Sequence, residues 1–178
     1  AIMIPTLPKP RHRWPRLLAC TLAASLTACG GGGGSSTPTT ASPASTLSGT
    51  AVDGYLKGAT VFLDVNGNGL ADAGEPSALT DDNGHYVLDI STLGQALAGL
   101  RIVALGGIDT DTGFAFAGRL SAPADGATSG QLVSPLTSLV DALVAQGQSV
   151  ADARANVAKA LGLTVADLTT DPVASVAN

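Results

Sequence analysis

The chain has 178 residues, enough for one medium domain or two small ones, with nine Lys and Arg against fourteen Asp and Glu and a formal charge of −5. Four of the nine basic residues, Lys9, Arg11, Arg13 and Arg16, are gathered at the amino end. The acidic remainder carries no Lys/Arg cluster, which argues against nucleic acid and anionic lipid as partners.

Those four residues precede a short apolar run over 17–28 that closes in Leu26-Thr27-Ala28-Cys29. The pattern is that of a secretory signal peptide over 1–28, because the run is well short of the roughly 20 residues a membrane-spanning helix needs. Leu-Thr-Ala-Cys resembles the bacterial lipobox, which implies cleavage before Cys29 and acylation of its thiol and amine, a membrane anchor through lipid. Gly30 stands where enterobacterial lipoproteins retained in the inner membrane carry Asp, so the resemblance implies the outer membrane. Cys20 leaves with the signal and no intrachain disulfide is expected. Five basic residues then face fourteen acidic ones, a formal charge of −9. Residues 29–46, Cys29 apart, are Gly, Ser, Thr, Pro and Ala without apolar periodicity and read as a flexible linker.

From 47 to 122 the pattern changes to short alternating runs broken by turn chemistry. Strands are expected over 47–52, 59–64, 85–90, 100–105 and 113–120, with turns at Asp53-Gly54, Asp82-Asn83-Gly84 and Gly106-Gly107. Val61 and Leu63 alternate with Thr60 and Phe62, so this strand is expected to be buried on both faces. Over 128–178 the period moves to 3.6. Ser134-Pro135 opens a helix with Leu136, Leu139, Val140, Leu143 and Val144 on one stripe. A second runs from Ser149 to Gly162 with Val150, Ala153, Val157, Ala160 and Leu161. Thr164 and Asp167 start a short turn, and Asp171-Pro172 a further helix. The fold class expected is mainly β, a small antiparallel β-sandwich followed by a short α-helical subdomain.

Glu75 is the only glutamate of the chain. It closes Asp64-Val65-Asn66-Gly67-Asn68-Gly69-Leu70-Ala71-Asp72-Ala73-Gly74-Glu75, a complete D-x-N-x-N-G-x5-E calcium loop. A hard cation takes six to eight oxygens. The spacing offers the side chains of Asp64, Asn66 and Asn68, the Leu70 carbonyl, Asp72 and a bidentate Glu75, with Gly69 at the sharp turn. A plain Asn-Gly hairpin tip is the bland alternative, and the match at six positions together favours the metal. Calcium is the one cofactor expected.

The stretch 48–64, the loop, and Thr80-Asp81-Asp82-Asn83-Gly84-His85-Tyr86 together resemble the SdrD B-like and carboxypeptidase-regulatory-like (prealbumin-like) β-sandwich domains of bacterial surface proteins. The resemblance covers 48–90 and implies a calcium-stabilised sandwich that rigidifies a stalk or adhesin. It also implies calcium ligands at Asp64, Asn66, Asn68, Leu70, Asp72 and Glu75. Glu75 runs directly into Pro76 and Thr80, leaving little room for the strand that intervenes in the family. The strands flanking the loop argue against an EF-hand that senses calcium by opening two helices.

No enzyme is expected. His85, the one histidine outside the signal, has no Gly-x-Ser-x-Gly elbow beside it, and the acidic pairs Asp81/Asp82 and Asp109/Asp111 read as turn formers. The expected function is a lipid-anchored cell-envelope protein with a structural, stalk or adhesion module, its partners the membrane and a protein or glycan surface ligand. The alternatives are a glycan-binding module and the amino-terminal part of a larger surface protein or hydrolase.

Overall fold

The computed structural model describes residues 46–176; the expected signal peptide, the Cys29 anchor and most of the linker lie outside them. In chain order the elements are β1 (Thr46–Ala51), β2 (Leu56–Lys57), β3 (Thr60–Asp64), β4 (Ser77–Leu79), β5 (His85–Asp89), β6 (Arg101–Leu105), β7 (Ile108–Asp109), β8 (Arg119–Pro123) and β9 (Gln131–Val133). Helices α1 (Pro135–Ala145) and α2 (Val150–Leu161), a 3-10 turn at Ala166–Leu168 and the short α3 (Pro172–Val176) follow. The strands form three small sheets, ordered β5-β1-β9, β2-β7 and β4-β3-β6-β8, none closed into a barrel.

The core lies between the three-stranded and the four-stranded sheet. Leu47, Ala51, Tyr86, Leu88 and Val133 from the first meet Val61, Leu63, Ile102, Ala104, Leu120 and Ala122 from the second in one buried cluster. Strand alternation then puts Phe62, Val103 and Ser121 on the opposite face of the four-stranded sheet, where they are register partners and also buried. β3 is therefore covered on both faces, as its continuous apolar run implies.

The Thr80-Asp81-x-x-Gly84-x-Tyr86 stretch has a physical reason at each position. Thr80 Oγ1 donates to the Leu56 carbonyl and accepts from Ala59 N, tying the β2–β3 turn to the end of β4. Asp81 accepts from Asn83 N and His85 N and so closes the turn that carries the chain from β4 to β5, which belong to different sheets, so the turn does not make a hairpin. Gly84 has φ of 72°, and a Cβ there would overlap the Ala51 carbonyl oxygen. Tyr86 is buried and its hydroxyl donates to the Gln131 carbonyl at 3.0 Å, a link between β5 and β9 across β1.

Three strand expectations need correction. The run over 113–120 is not a strand until Arg119; Gly113 has φ of 72° and turns the chain, and only an isolated bridge pairs Ile108 with Ala115. β4 does fit between Glu75 and Thr80, because three residues suffice to pair with Thr60, Val61 and Phe62. β9 lies in a segment read as helical and pairs parallel with β1, so the sheets are mostly rather than wholly antiparallel. β2 and β7, of two residues each, carried no readable alternation.

Helix α1 starts where the sequence indicates. Ser134 Oγ accepts from Thr137 N while Thr137 Oγ1 accepts from Ser134 N, a complete capping box, with Pro135 in the first turn. Ser149 caps α2, and Gly162 ends it in the left-handed region at φ 71°. Val140, Ala153, Val157, Ala158 and Leu168 make a second, smaller core. Leu139 and Leu161, expected on the packed stripes, are half exposed. α1 also protects β8, the outer strand of its sheet: Ser121 N donates to Ser138 Oγ, and the Ser121 carbonyl accepts from Thr137 and Ser138. Helix hydroxyls thus satisfy an edge that would otherwise template another strand.

Candidate functional site

The D-x-N-x-N-G-x5-E loop leaves the end of β3 and returns to β4, its neck closed by Leu63 N donating to the Pro76 carbonyl at 2.9 Å. Asp64 is the last residue of β3 and its side chain is fully buried. Its Oδ1 accepts from Gly67 N at 2.8 Å and its Oδ2 from Gly69 N at 3.0 Å. Asn66 Oδ1 accepts from Asn68 N, and Asn68 Oδ1 from Leu70 N, two successive side-chain turns. Gly67 and Gly69 lie at φ 76° and 75°, which lets the chain wind this tightly. Glu75 spans the ends: Oε1 accepts from Val65 N at 2.7 Å and Oε2 from Asp72 N at 3.2 Å.

Of the six expected ligands, Asp64, Asn66, Asn68, Asp72 and Glu75 are tied into the loop by their own side chains, while the Leu70 side chain points to solvent. Asp72 Oδ2 accepts from the amides of both Asn66 and Asn68, at 2.7 and 2.6 Å, and these bonds, Asn66's first, hold its carboxyl below the usual carboxylate range. Among the described residues no three His, Cys, Asp or Glu side chains stand together as a metal cluster. The carboxylates of Asp64 and Glu75 accept from N–H donors of the loop itself, and two amide groups are turned toward Asp72.

Two guanidinium groups border the loop. Arg101 is the cross-strand partner of Asp64, and its Nη1 lies 3.8 Å from Asp64 Oδ2. Its Nε meets Asp141 of α1 at 2.8 Å from Oδ2, and Ser121 Oγ donates to the same oxygen at 2.7 Å. The Arg119 guanidinium lies against Gly69, where a Cβ would crowd both of its terminal nitrogens. Sequence reasoning missed all of these groups. Asp141 left one trace, a lone acid beside Val140 in the apolar stripe of α1.

No protein-family model, curated protein or solved structure matches the chain.

Of the acidic pairs, Asp81 and Asp109 close turns with their side chains. Asp82 pairs with Lys57 at 2.8 Å, and exposed His85 sits 3.4 Å from Asp81. Asp109 accepts from Asp111 N and Thr112 Oγ1. Tyr55 donates to Asp171 at 3.1 Å, and burial, then that carboxylate, raises its pKa.

The loop holds two Asn-Gly steps, the sequence most prone to deamidation, in which the glycine nitrogen attacks the Asn side-chain carbonyl carbon. Ammonia leaves, and water opens the cyclic imide to aspartate or isoaspartate. Both attacking nitrogens, Gly67 N and Gly69 N, are hydrogen-bonded to Asp64. The third step, Asn83-Gly84, is held instead by the Asp81 carbonyl. Asp64→Ala should therefore speed deamidation at Asn66 and Asn68 about tenfold or more, since a hydrogen bond to a charged group contributes about 1.5–3 kcal/mol. Asn83 should keep its wild-type rate. Peptide mass spectrometry over a storage time course reads this, and equal acceleration at all three sites would contradict it.

Proposed function

We propose that the loop binds Ca²⁺ and that the ion acts as a structural clip between β3 and β4 of a prealbumin-like sandwich. The observation that carries this reading is the folded loop itself, with a buried Asp64 at the strand end and Glu75 bonded back to Val65 at the neck. The donor set fits the ion chemically: three carboxylates, two amides and a carbonyl, all hard oxygen, with no thiol or imidazole to favour zinc or copper. Asp64, Asn66, Asn68, Asp72 and Glu75 would hold it through side chains and Leu70 through its carbonyl. Bound there, calcium supplies charge neutralisation and crosslinking, with no reaction. The amides of Asn66 and Asn68, which donate to Asp72, must present oxygen instead.

Around this clip the reading is a lipid-anchored cell-envelope protein, held in the outer membrane through Cys29, whose sandwich serves as a structural, stalk or adhesion module. The Thr80-Asp81-x-x-Gly84-x-Tyr86 turn supports the prealbumin-like likeness, because Thr80, Gly84 and Tyr86 bond to other strands or their ends while Asp81 closes the turn itself. Among the described residues no helix is long and apolar enough to cross a membrane. A sandwich with no disulfide to staple it gains most from a metal. At calcium near 100 times its dissociation constant the gain is about 2.7 kcal/mol, which raises the melting temperature of a domain of this size by roughly 10 °C. Glu75→Gln should abolish most of that rise while leaving the melting point in chelator within a few degrees. Equal calcium shifts in the two proteins, read by differential scanning calorimetry, would count against the reading.

A further inference from the structure

Arg101 stands between two carboxylates of different subassemblies. Toward the loop, Nη1 is 3.8 Å from Asp64 Oδ2; toward the helices, Nε is 2.8 Å from Asp141 Oδ2 and 3.0 Å from Asp141 Oδ1. Both acids are buried, with Asp64 2% and Asp141 6% exposed. Neither hydrates readily, so each depends on the donors around it. Asp64 also has Gly67 N and Gly69 N, and Asp141 also has Ser121 Oγ. Among the described residues Arg101 is the one cation that both acids share, and a guanidinium has a fork wide enough to serve two partners.

We propose that Arg101 is a positioning residue that couples calcium occupancy of the loop to the docking of α1 on β8. The proposal rests on the calcium reading above. A divalent ion on Asp64 and the Arg101 guanidinium repel at this range and compete for the same oxygen. Calcium therefore commits Arg101 to Asp141, and by reciprocity a strong Arg101–Asp141 pair leaves Asp64 more available to calcium. The loop and the helical hairpin, adjacent to different strands of one sheet, respond to each other through a single side chain.

Signs separate this from an ordinary structural role. Arg101→Gln loosens the α1 contact yet should tighten calcium binding by about tenfold, since it removes a positive charge beside the ion. Asp141→Asn leaves Arg101 with Asp64 alone and should weaken binding several-fold. Arg119→Gln, which removes the other guanidinium at the loop, is the charge control: it should tighten binding without altering α1. Titration calorimetry at fixed low salt reads the three variants. Hydrogen exchange of the wild-type protein, which requires no variant to fold, should show calcium slowing the α1 amides more than those of β1 and β5. Weaker binding in both Arg101→Gln and Asp141→Asn, or unchanged binding in both, overturns the coupling and leaves the calcium site standing. So does calcium-independent exchange in α1 alongside normal binding. Absence of calcium binding in the wild type overturns the site and the coupling together.

Discussion

Asp141→Ala is expected to lower the unfolding free energy by about 3 kcal/mol, the lower part of the range for breaking a buried ion pair from one side. Asp141 lies on the face of α1 that covers β8, where it accepts from Arg101 Nε and Ser121 Oγ. Removing it strands both donors. Arg101 keeps a quarter of its side chain exposed and recovers part of its hydration, which is why the upper end of the range is not expected. Both partners of Asp141 lie on the sheet, Arg101 on β6 and Ser121 on β8, so the loss is felt where α1 meets it. Urea unfolding measures it. A loss below about 1 kcal/mol, the level of an exposed pair, would mean that this contact does not hold the helices to the sheet.

Gly49→Ala is the second large effect. Gly49 sits in the middle of β1, paired on one side with Tyr86 and on the other with Gln131. A Cβ there would overlap the Gln131 carbonyl and the Tyr86 hydroxyl, which are hydrogen-bonded to each other. The clash falls on backbone that cannot rotate away, so β9 has to shift from β1 or the Tyr86 bond has to break. About 3 kcal/mol is expected, the top of the usual range for overpacking. Since β9 leads directly into α1, the helical hairpin should loosen too. Tyr86→Phe separates the two contributions: it removes only the hydroxyl and should cost about 1 kcal/mol. A Gly49→Ala protein as stable as Tyr86→Phe in urea would show that the close approach of β1 and β9 is wrong.

Local chemistry carried the parts of the fold that were legible in the sequence. The β3 run, the Asp81–Gly84 turn, the Ser134 and Ser149 caps and the Gly162 stop each depend on residues within a few positions of one another. The loop was legible for the same reason, since all of its donors lie in twelve consecutive residues. β4 and β9 were not, because three residues carry too little alternation and their pairing is decided by distant partners. Phe114, Ala115 and Phe116 suggested a strand, but Gly113 and the Ile108–Ala115 bridge spend them on a turn. Arg101 and Asp141 are forty positions apart, and only the tertiary packing of α1 on β8 makes them neighbours. The border of the candidate site, unlike the loop itself, is thus a property of the fold.

Calorimetric titration of calcium into the wild-type protein and Glu75→Gln decides whether the loop is a calcium site. A single saturable site in the wild type, lost or greatly weakened when the Glu75 carboxylate becomes an amide, is the predicted result. A wild-type titration without saturable heat, or isotherms that coincide for the two proteins, would contradict it.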